Sequence, residues 1–247
     1  PVKVPVRPLT RTSKPRIVGP QTAFVVGDGE IDVDEHGRIE VKFHWAKDRD
    51  LVQSRRVRIS HGWSGASWGD IKIPRVGMEV VVEFLNGDPD QPLVTGTVYN
   101  GNNATPYDLP ADKTISGVKS KTDGGDGYNE LIFDDRDGNE LIRFHAERDL
   151  EGKVENDERR DVGHNVNVKI GNNRTENIGM EWSAEAGTRI EFKCGQSTIV
   201  MTPASIEIKS VSITVSASAN LVAKGSAMTN VESSGPTIVK GAIITLN

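Results

Sequence analysis

Glycine recurs every eight residues at Gly163, Gly171, Gly179, Gly187 and Gly195, and Pro203 takes the next place in the series. The residue before each glycine is apolar or small: Val162, Ile170, Ile178, Ala186 and Cys194, with Val154 one period earlier. An octad with glycine at one fixed position implies a short strand and a tight bend, repeated. The bend at Gly179 is expected to need a positive φ or the space a Cβ would fill. Such a strand has one apolar face and open edges, so the repeat cannot bury itself within one chain. Three chains wound together close the edges and share the core. The sequence therefore predicts an intertwined trimeric triple-stranded β-helix, a prism-like needle, over residues 151–247. Beyond residue 203 the glycines thin out, and plain alternation is expected at Ile206, Ile208, Ile213, Val215, Ala217, Ala219 and Leu221.

Upstream the period is two. Apolar and polar side chains alternate in Arg38-Ile39-Glu40-Val41-Lys42-Phe43-His44-Trp45 and again in Arg56-Val57-Arg58-Ile59, as in strands with one buried face. Two further strands are expected at 79–84 and 93–99, separated by the turn-rich Asn86-Gly87-Asp88-Pro89-Asp90-Gln91-Pro92. About five short strands in about 90 residues predict a small closed barrel over 21–110. Asp137-Gly138 marks the turn of a connecting β-hairpin within 111–150. Five prolines in residues 1–20 read as an extended linker. The fold class is all-β.

Hydrophobic residues make up 36% of the 247 and aromatics 5%. That supply suits a small barrel and an element buried partly by other subunits better than one large core. A net charge of −5 provides no field for phosphates, which argues against nucleic acid as a partner. No apolar run reaches the ~18–20 residues of a spanning helix. The N-terminus lacks the apolar stretch of a Sec signal and an initiator Met, so the chain is expected to be part of something longer. A single cysteine, Cys194, precludes an internal disulfide and fits folding in a reducing compartment.

Several motifs carry possible chemistry. Gly65-Ala66-Ser67-Trp68-Gly69 matches the G-x-S-x-G nucleophile pattern, with Asp70 and His145 as conceivable partners of Ser67. That chemistry needs a strand-to-helix elbow, and Ile71-Lys72-Ile73-Pro74 reads as strand, so a glycine-rich loop is expected instead. Asp32-Val33-Asp34-Glu35-His36-Gly37 opens like a calcium loop but has His36 and Phe43 where ligands belong, which leaves a turn. The five histidines show neither H-x-H nor HExxH spacing, and none follows His164, so no metal or cofactor is expected. Cys194 occupies an octad slot and is expected to act as a small buried hydrophobe. Trp63 and Trp68, beside Arg55, Arg56 and Arg58, could line a nucleic-acid or sugar groove, but packing against the barrel is the expected role.

At this level of detail the sequence resembles the VgrG spike proteins of type VI secretion, which are similar to the central tail-spike protein of contractile phages. The resemblance rests on residues 16–23, on 34–38 with 41–45, on Trp63-Ser64-Gly65-Ala66-Ser67-Trp68-Gly69, on Ile73-Pro74-Arg75-Val76-Gly77-Met78-Glu79-Val80, on 84–92, on Val98-Tyr99-Asn100-Gly101, and on Tyr128-Asn129-Glu130-Leu131-Ile132-Phe133-Asp134-Asp135. It implies an oligosaccharide/oligonucleotide-binding (OB) fold barrel followed by the trimeric needle, with residues 1–20 leading in from a base domain. It implies a puncturing spike rather than an enzyme, assembled in the bacterial cytoplasm and then secreted or injected. Implied partners are a homotrimer, effectors, sheath and inner-tube proteins through the base domain, a PAAR-type tip protein and, transiently, a target membrane. With no extension after Asn247, the chain resembles the structural members. Ile243, Ile244 and Leu246 form an unusually apolar end, expected to dock the tip protein. The rival readings are a carbohydrate-binding tail spike or adhesin and a hydrolase using Ser67.

Overall fold

The computed structural model describes residues 9, 11–46 and 54–245. Strand β1 (Gln21–Val26) pairs antiparallel with both β2 (Glu40–Phe43) and β4 (Glu79–Phe84). Strand β5 (Pro92–Val98) pairs antiparallel with β4 and parallel with the short β3 (Arg58–Ile59). The order is therefore β2-β1-β4-β5-β3. The two outer strands then meet, because Ile39 and Val57 exchange N–H···O bonds of 3.0 and 2.7 Å. This reciprocal pair closes the sheet into a five-stranded barrel of OB topology.

The alternation in the sequence supplies its interior. Ala23, Val25, Ile39, Val41, Val57, Val80, Val82 and Val94 are at most 1% exposed. The register sets Ala23 opposite Val80, Val25 opposite Val41 and Val82 opposite Val94. Stiff β-branched side chains fill a lumen too narrow for larger ones. Phe43, Phe84, Ile59 and Met78 pack against this core.

Two local expectations need correction. The strand predicted to reach Trp45 ends at Phe43, and His44–Ala46 form a 3-10 turn. There His44 Nε2 lies 2.9 Å from Thr22 Oγ1, and Trp45 stacks on Phe43. The proline-rich lead-in is also not free where it is described. Ile17 N donates to Gly87 O at 2.9 Å, and Lys14 Nζ lies 2.6 Å from Asp88 Oδ2, fastening it to the β4–β5 turn. Pro1, Pro5 and Pro8 lie outside the described residues.

After the barrel, the expected hairpin gains a third strand. Strands β6 (Ile115–Lys119), β7 (Glu130–Asp134) and β8 (Leu141–His145) form an antiparallel meander. Its second turn has Gly138 at φ +74° and a 2.8 Å bond from Asn139 N to Arg136 O. One face turns Glu130 and Ile132 into the protein, at 4% and 1% exposure. The register gathers Val118, Leu131, Phe133, Ile142 and Phe144 on the other face, all exposed.

Residues 160–247 form a separate unit. Strands β9 (Ile190–Cys194), β10 (Ser197–Met201) and β11 (Ile206–Lys209) are an antiparallel meander. Cys194 pairs with Ser197 across a turn at Gly195, where φ is +56°. From 151 to 189 no residue joins a strand of this chain.

The backbone nevertheless bends at 155–156, 163–164, 171–172, 179–180, 187–188, 195–196, 203–204 and 211, then at 218–219, 226–227, 234–235 and 242. The eight-residue rhythm thus continues past 203, with one seven-residue step between 211 and 218. Plain alternation does not replace it. Pro203, Val211, Ser218, Ser226, Ser234 and Ala242 take over the bends that glycine holds upstream. The expected reason for Gly179 is also overturned within one chain: its φ is not positive, and a Cβ there would meet nothing within 4 Å. The same open space surrounds Gly163, Gly171 and Gly187.

Candidate functional site

The most conspicuous surface property is area. The chain exposes 22,479 Å² at 26.9 kDa, whereas a compact monomer of that mass exposes about 11,000 Å². The octads contribute to this excess. No residue between 160 and 245 is buried. Val162, Ile170 and Ile178 are 41%, 46% and 50% exposed, and Trp182 and Phe192 are exposed as well. Cys194, in the same octad slot, is likewise exposed in the single chain. Covering a Val or Ile side chain is worth about 1.5–3 kcal/mol, stabilisation that an isolated chain does not realise here. At the far end Ile243 and Ile244 are exposed, and Leu246 lies outside the described residues.

The candidate nucleophile belongs to a hairpin. Ser67 has the positive φ (68°) of a nucleophile elbow, but the chain doubles back instead of entering a helix. Gly65 N donates to Trp68 O at 2.8 Å and Asp70 N to Trp63 O at 2.9 Å. Both glycines of the motif serve this turn. A Cβ on Gly65 would lie 2.2 Å from the Trp68 indole, and one on Gly69 2.3 Å from the Trp63 carbonyl oxygen. Asp70 faces Lys72 at 3.4 Å. His145 stacks on Tyr128 and places Nδ1 3.1 Å from that residue's carbonyl oxygen. Among the described residues no hydrogen bond joins Ser67, Asp70 and His145.

The calcium-like segment is a turn whose carboxylates are engaged by the protein. Asp34 accepts from the N–H groups of His36 and Arg38 and from Arg38 Nε at 2.7 Å. Burial raises its pKa, yet the bonds from Arg38 and His36 prevail and bring it down to about 2. Asp32 accepts from Asp28 N at 3.0 Å and faces Arg56 Nη1 at 2.6 Å. Among the described residues no three His, Cys, Asp or Glu are grouped to hold a metal ion.

Trp63 and Trp68 do not pack into the barrel as expected. They stand out in solvent, 66% and 56% exposed, edge to face with centroids 4.8 Å apart. Two polar networks also escaped sequence reasoning. Glu30 accepts from Gly124 N at 3.1 Å, from Lys121 Nζ at 3.2 Å and from Arg75, tying the barrel to the β6–β7 turn. The Gly124 N–H first, then Arg75 and Lys121, lower its pKa to about 2. Buried Glu130 accepts from Tyr107 and Arg143. These partners lie 13 to 94 positions apart, and spacing gives no hint of them. The apolar face of β6–β8 was signalled by the alternation of Leu131 with Phe133 and of Ile142 with Phe144.

Together these features define an all-β protein with an OB barrel leading into an octad segment that leaves its own apolar side chains uncovered. Residues 21–99 match the type VI secretion system/phage-baseplate injector OB domain, and residues 116–231 match the bacteriophage T4 gp5 C-terminal trimerisation domain. Three relatives show the same kinship. The type VI secretion system spike protein VgrG4b of Pseudomonas aeruginosa is 49% identical over 169 residues, 66% of this chain and 21% of that protein. VgrG1a of the same organism is 37% identical over 224 residues, 78% of this chain and 35% of its own length. The actin cross-linking toxin VgrG1 of Vibrio cholerae is 46% identical over 161 residues, 64% of this chain and 15% of that protein. Over these residues the chain is similar to the VgrG spike proteins of type VI secretion, and it spans about a fifth to a third of the length of the two Pseudomonas relatives.

Proposed function

We propose that this chain is the barrel-and-needle part of a trimeric puncturing spike of a type VI secretion machine. The observation that carries the reading is the set of apolar octad residues, Val162, Ile170 and Ile178 among them, left exposed at a regular eight-residue bend. Three copies intertwined would cover those side chains and satisfy the strand edges between 151 and 189. The match of 116–231 to a trimerisation domain supports the same number of copies.

In this reading the chain does mechanical work and forms no catalytic site. The base domain ahead of residue 20 would receive thrust from sheath and inner tube, and the needle would transmit it through a target envelope. Its assembly would take place in the bacterial cytoplasm, followed by secretion or injection. Effectors would travel with the trimer; the Vibrio relative, whose name records an actin cross-linking toxin, supports this. Ile243, Ile244 and Leu246 from three copies would form a blunt apolar plateau for a PAAR-type tip protein. Deleting residues 243–247 is expected to abolish capture of that protein and leave the trimer intact.

Light scattering and electron microscopy test the core of the proposal. The expected mass is three times that of one chain, in particles carrying a rod of roughly 55–60 Å, since each octad advances one strand spacing of ~4.8 Å. A monodisperse monomer would overturn it.

A further inference from the structure

The loop between β3 and β4 presents a hairpin that the barrel does not use. Its two indoles, Trp63 and Trp68, support each other edge to face and remain open to solvent, and Ile71 at 72% exposure extends the patch. Three positions are specialised to hold this shape: Ser67 at positive φ, Gly65 under the Trp68 ring, and Gly69 against the Trp63 carbonyl. A backbone strained at a non-glycine residue in order to display two tryptophans to water is costly unless the rings are covered in the working state.

We infer that this hairpin is an intersubunit contact, in which Trp63 and Trp68 seat on an apolar surface of a neighbouring copy of the same chain. The inference rests on the trimeric reading above. Three observations favour a second copy as the occupant. The loop carrying the hairpin runs on to Arg75, which pairs with Glu30 and donates from Nη2 to Lys121 O at 2.6 Å. Lys121 lies inside the segment that matches a trimerisation domain, so hairpin loop and assembling segment share one network. Each copy also offers a complement, the exposed apolar face of Val118, Leu131, Phe133, Ile142 and Phe144. A ring of three needs two different surfaces on every copy, and this chain has both. Finally, Lys72, the one Lys or Arg within residues 60–74, is paired with Asp70. The hairpin itself therefore carries little of the basic charge that draws a protein to anionic lipid.

Incorporating 5-fluorotryptophan gives four fluorine signals, from Trp45, Trp63, Trp68 and Trp182, assigned by single Trp→Phe substitutions. Their shifts in H2O and D2O are compared on a sample whose mass is measured in parallel. The expected result is a trimeric mass with no solvent isotope shift at Trp63 and Trp68. A trimeric mass with both signals fully shifted overturns the docking and leaves the trimer standing. A monomeric mass overturns both. Loss of the isotope shift only after adding phosphatidylcholine–phosphatidylglycerol vesicles, or a chitin hexasaccharide, also overturns the docking. Trp63→Ser combined with Trp68→Ser is expected to leave a needle-held trimer whose subunits exchange about tenfold faster or more. An unchanged exchange rate contradicts the proposal.

Discussion

The phenol of Tyr107 donates to the Glu130 carboxylate at 2.8 Å, joining the segment after the barrel to the central strand of the β6–β8 sheet. Glu130 is the buried charged side chain among the described residues, and Arg143 Nε donates to its other oxygen at 2.9 Å. Burial opposes its charge, but the bonds from Tyr107 and Arg143 outweigh that and hold its pKa below the usual carboxylate range. Burial first, then the bond to Glu130, pushes the Tyr107 phenol up to about 12.

Tyr107→Phe removes one of these bonds and is expected to cost about 1–2 kcal/mol, and Arg143→Ala, which strips a buried carboxylate of its cation, about 1–3 kcal/mol. Hydrogen exchange at the amides of Leu131 and Ile132 should accelerate correspondingly. Unchanged protection in both variants would show that the cluster bears no load.

Glu30 provides a pH dependence with a definite sign. Its pKa in the folded chain is about 2, below the usual glutamate value of 4.5. A depressed carboxylate contributes stability above its unfolded pKa and loses it as pH falls through the folded one. The contact between the barrel and the β6–β7 turn should therefore weaken between about pH 4.5 and 2 and be intact at neutral pH. Backbone NMR shifts of Gly124 should follow that window in the parent chain and lose it in Glu30→Gln.

Ser67 sits at φ 68°, a region that disfavours a side chain. Ser67→Gly is expected to stabilise the barrel by up to about 1 kcal/mol, and Ser67→Ala to change little. Urea unfolding measures both. Loss of killing or secretion with Ser67→Ala in an intact trimer would restore the hydrolase reading.

Gly195 and Gly179 share an octad position but not a conformation. Gly195→Val forces a β-branched residue into positive φ and should cost about 1–2 kcal/mol per chain. Gly179→Val meets no intrachain obstacle and is expected to lower the assembly's thermal midpoint less. The opposite order would reveal a neighbouring copy packed against Gly179.

Charge on the octad's apolar face is the sharper probe of assembly. Ile170→Asp and Ile178→Asp should each dissociate the trimer, because three carboxylates would be driven into one shared core. Lys169→Asp, at the polar position between Val168 and Ile170, should leave the mass measured by light scattering unchanged.

The sequence alone determined what depends on local periodicity. Alternation at Ile39, Val41, Val80 and Val82 announced strands with one buried face. Glycine every eighth residue announced a bend, because glycine bends at little steric cost and is easily noticed. Only the tertiary structure decided where different stretches meet. Beyond Pro203 the bends fall at Val211, at Ser218, Ser226 and Ser234, and at Ala242; serine recurs at three of them but is too common a residue to mark a bend by itself, so geometry made the continuing octad plain. Closure of the barrel at Ile39 and Val57, the bond of Glu30 to Gly124, and the exposure of Trp63 and Trp68 are likewise invisible in composition or spacing. Each depends on through-space distance between segments, which local pattern does not encode. The sequence assigned the two tryptophans to the barrel because large aromatics are usually covered. The folded chain leaves them uncovered because the barrel interior is already full of smaller β-branched side chains.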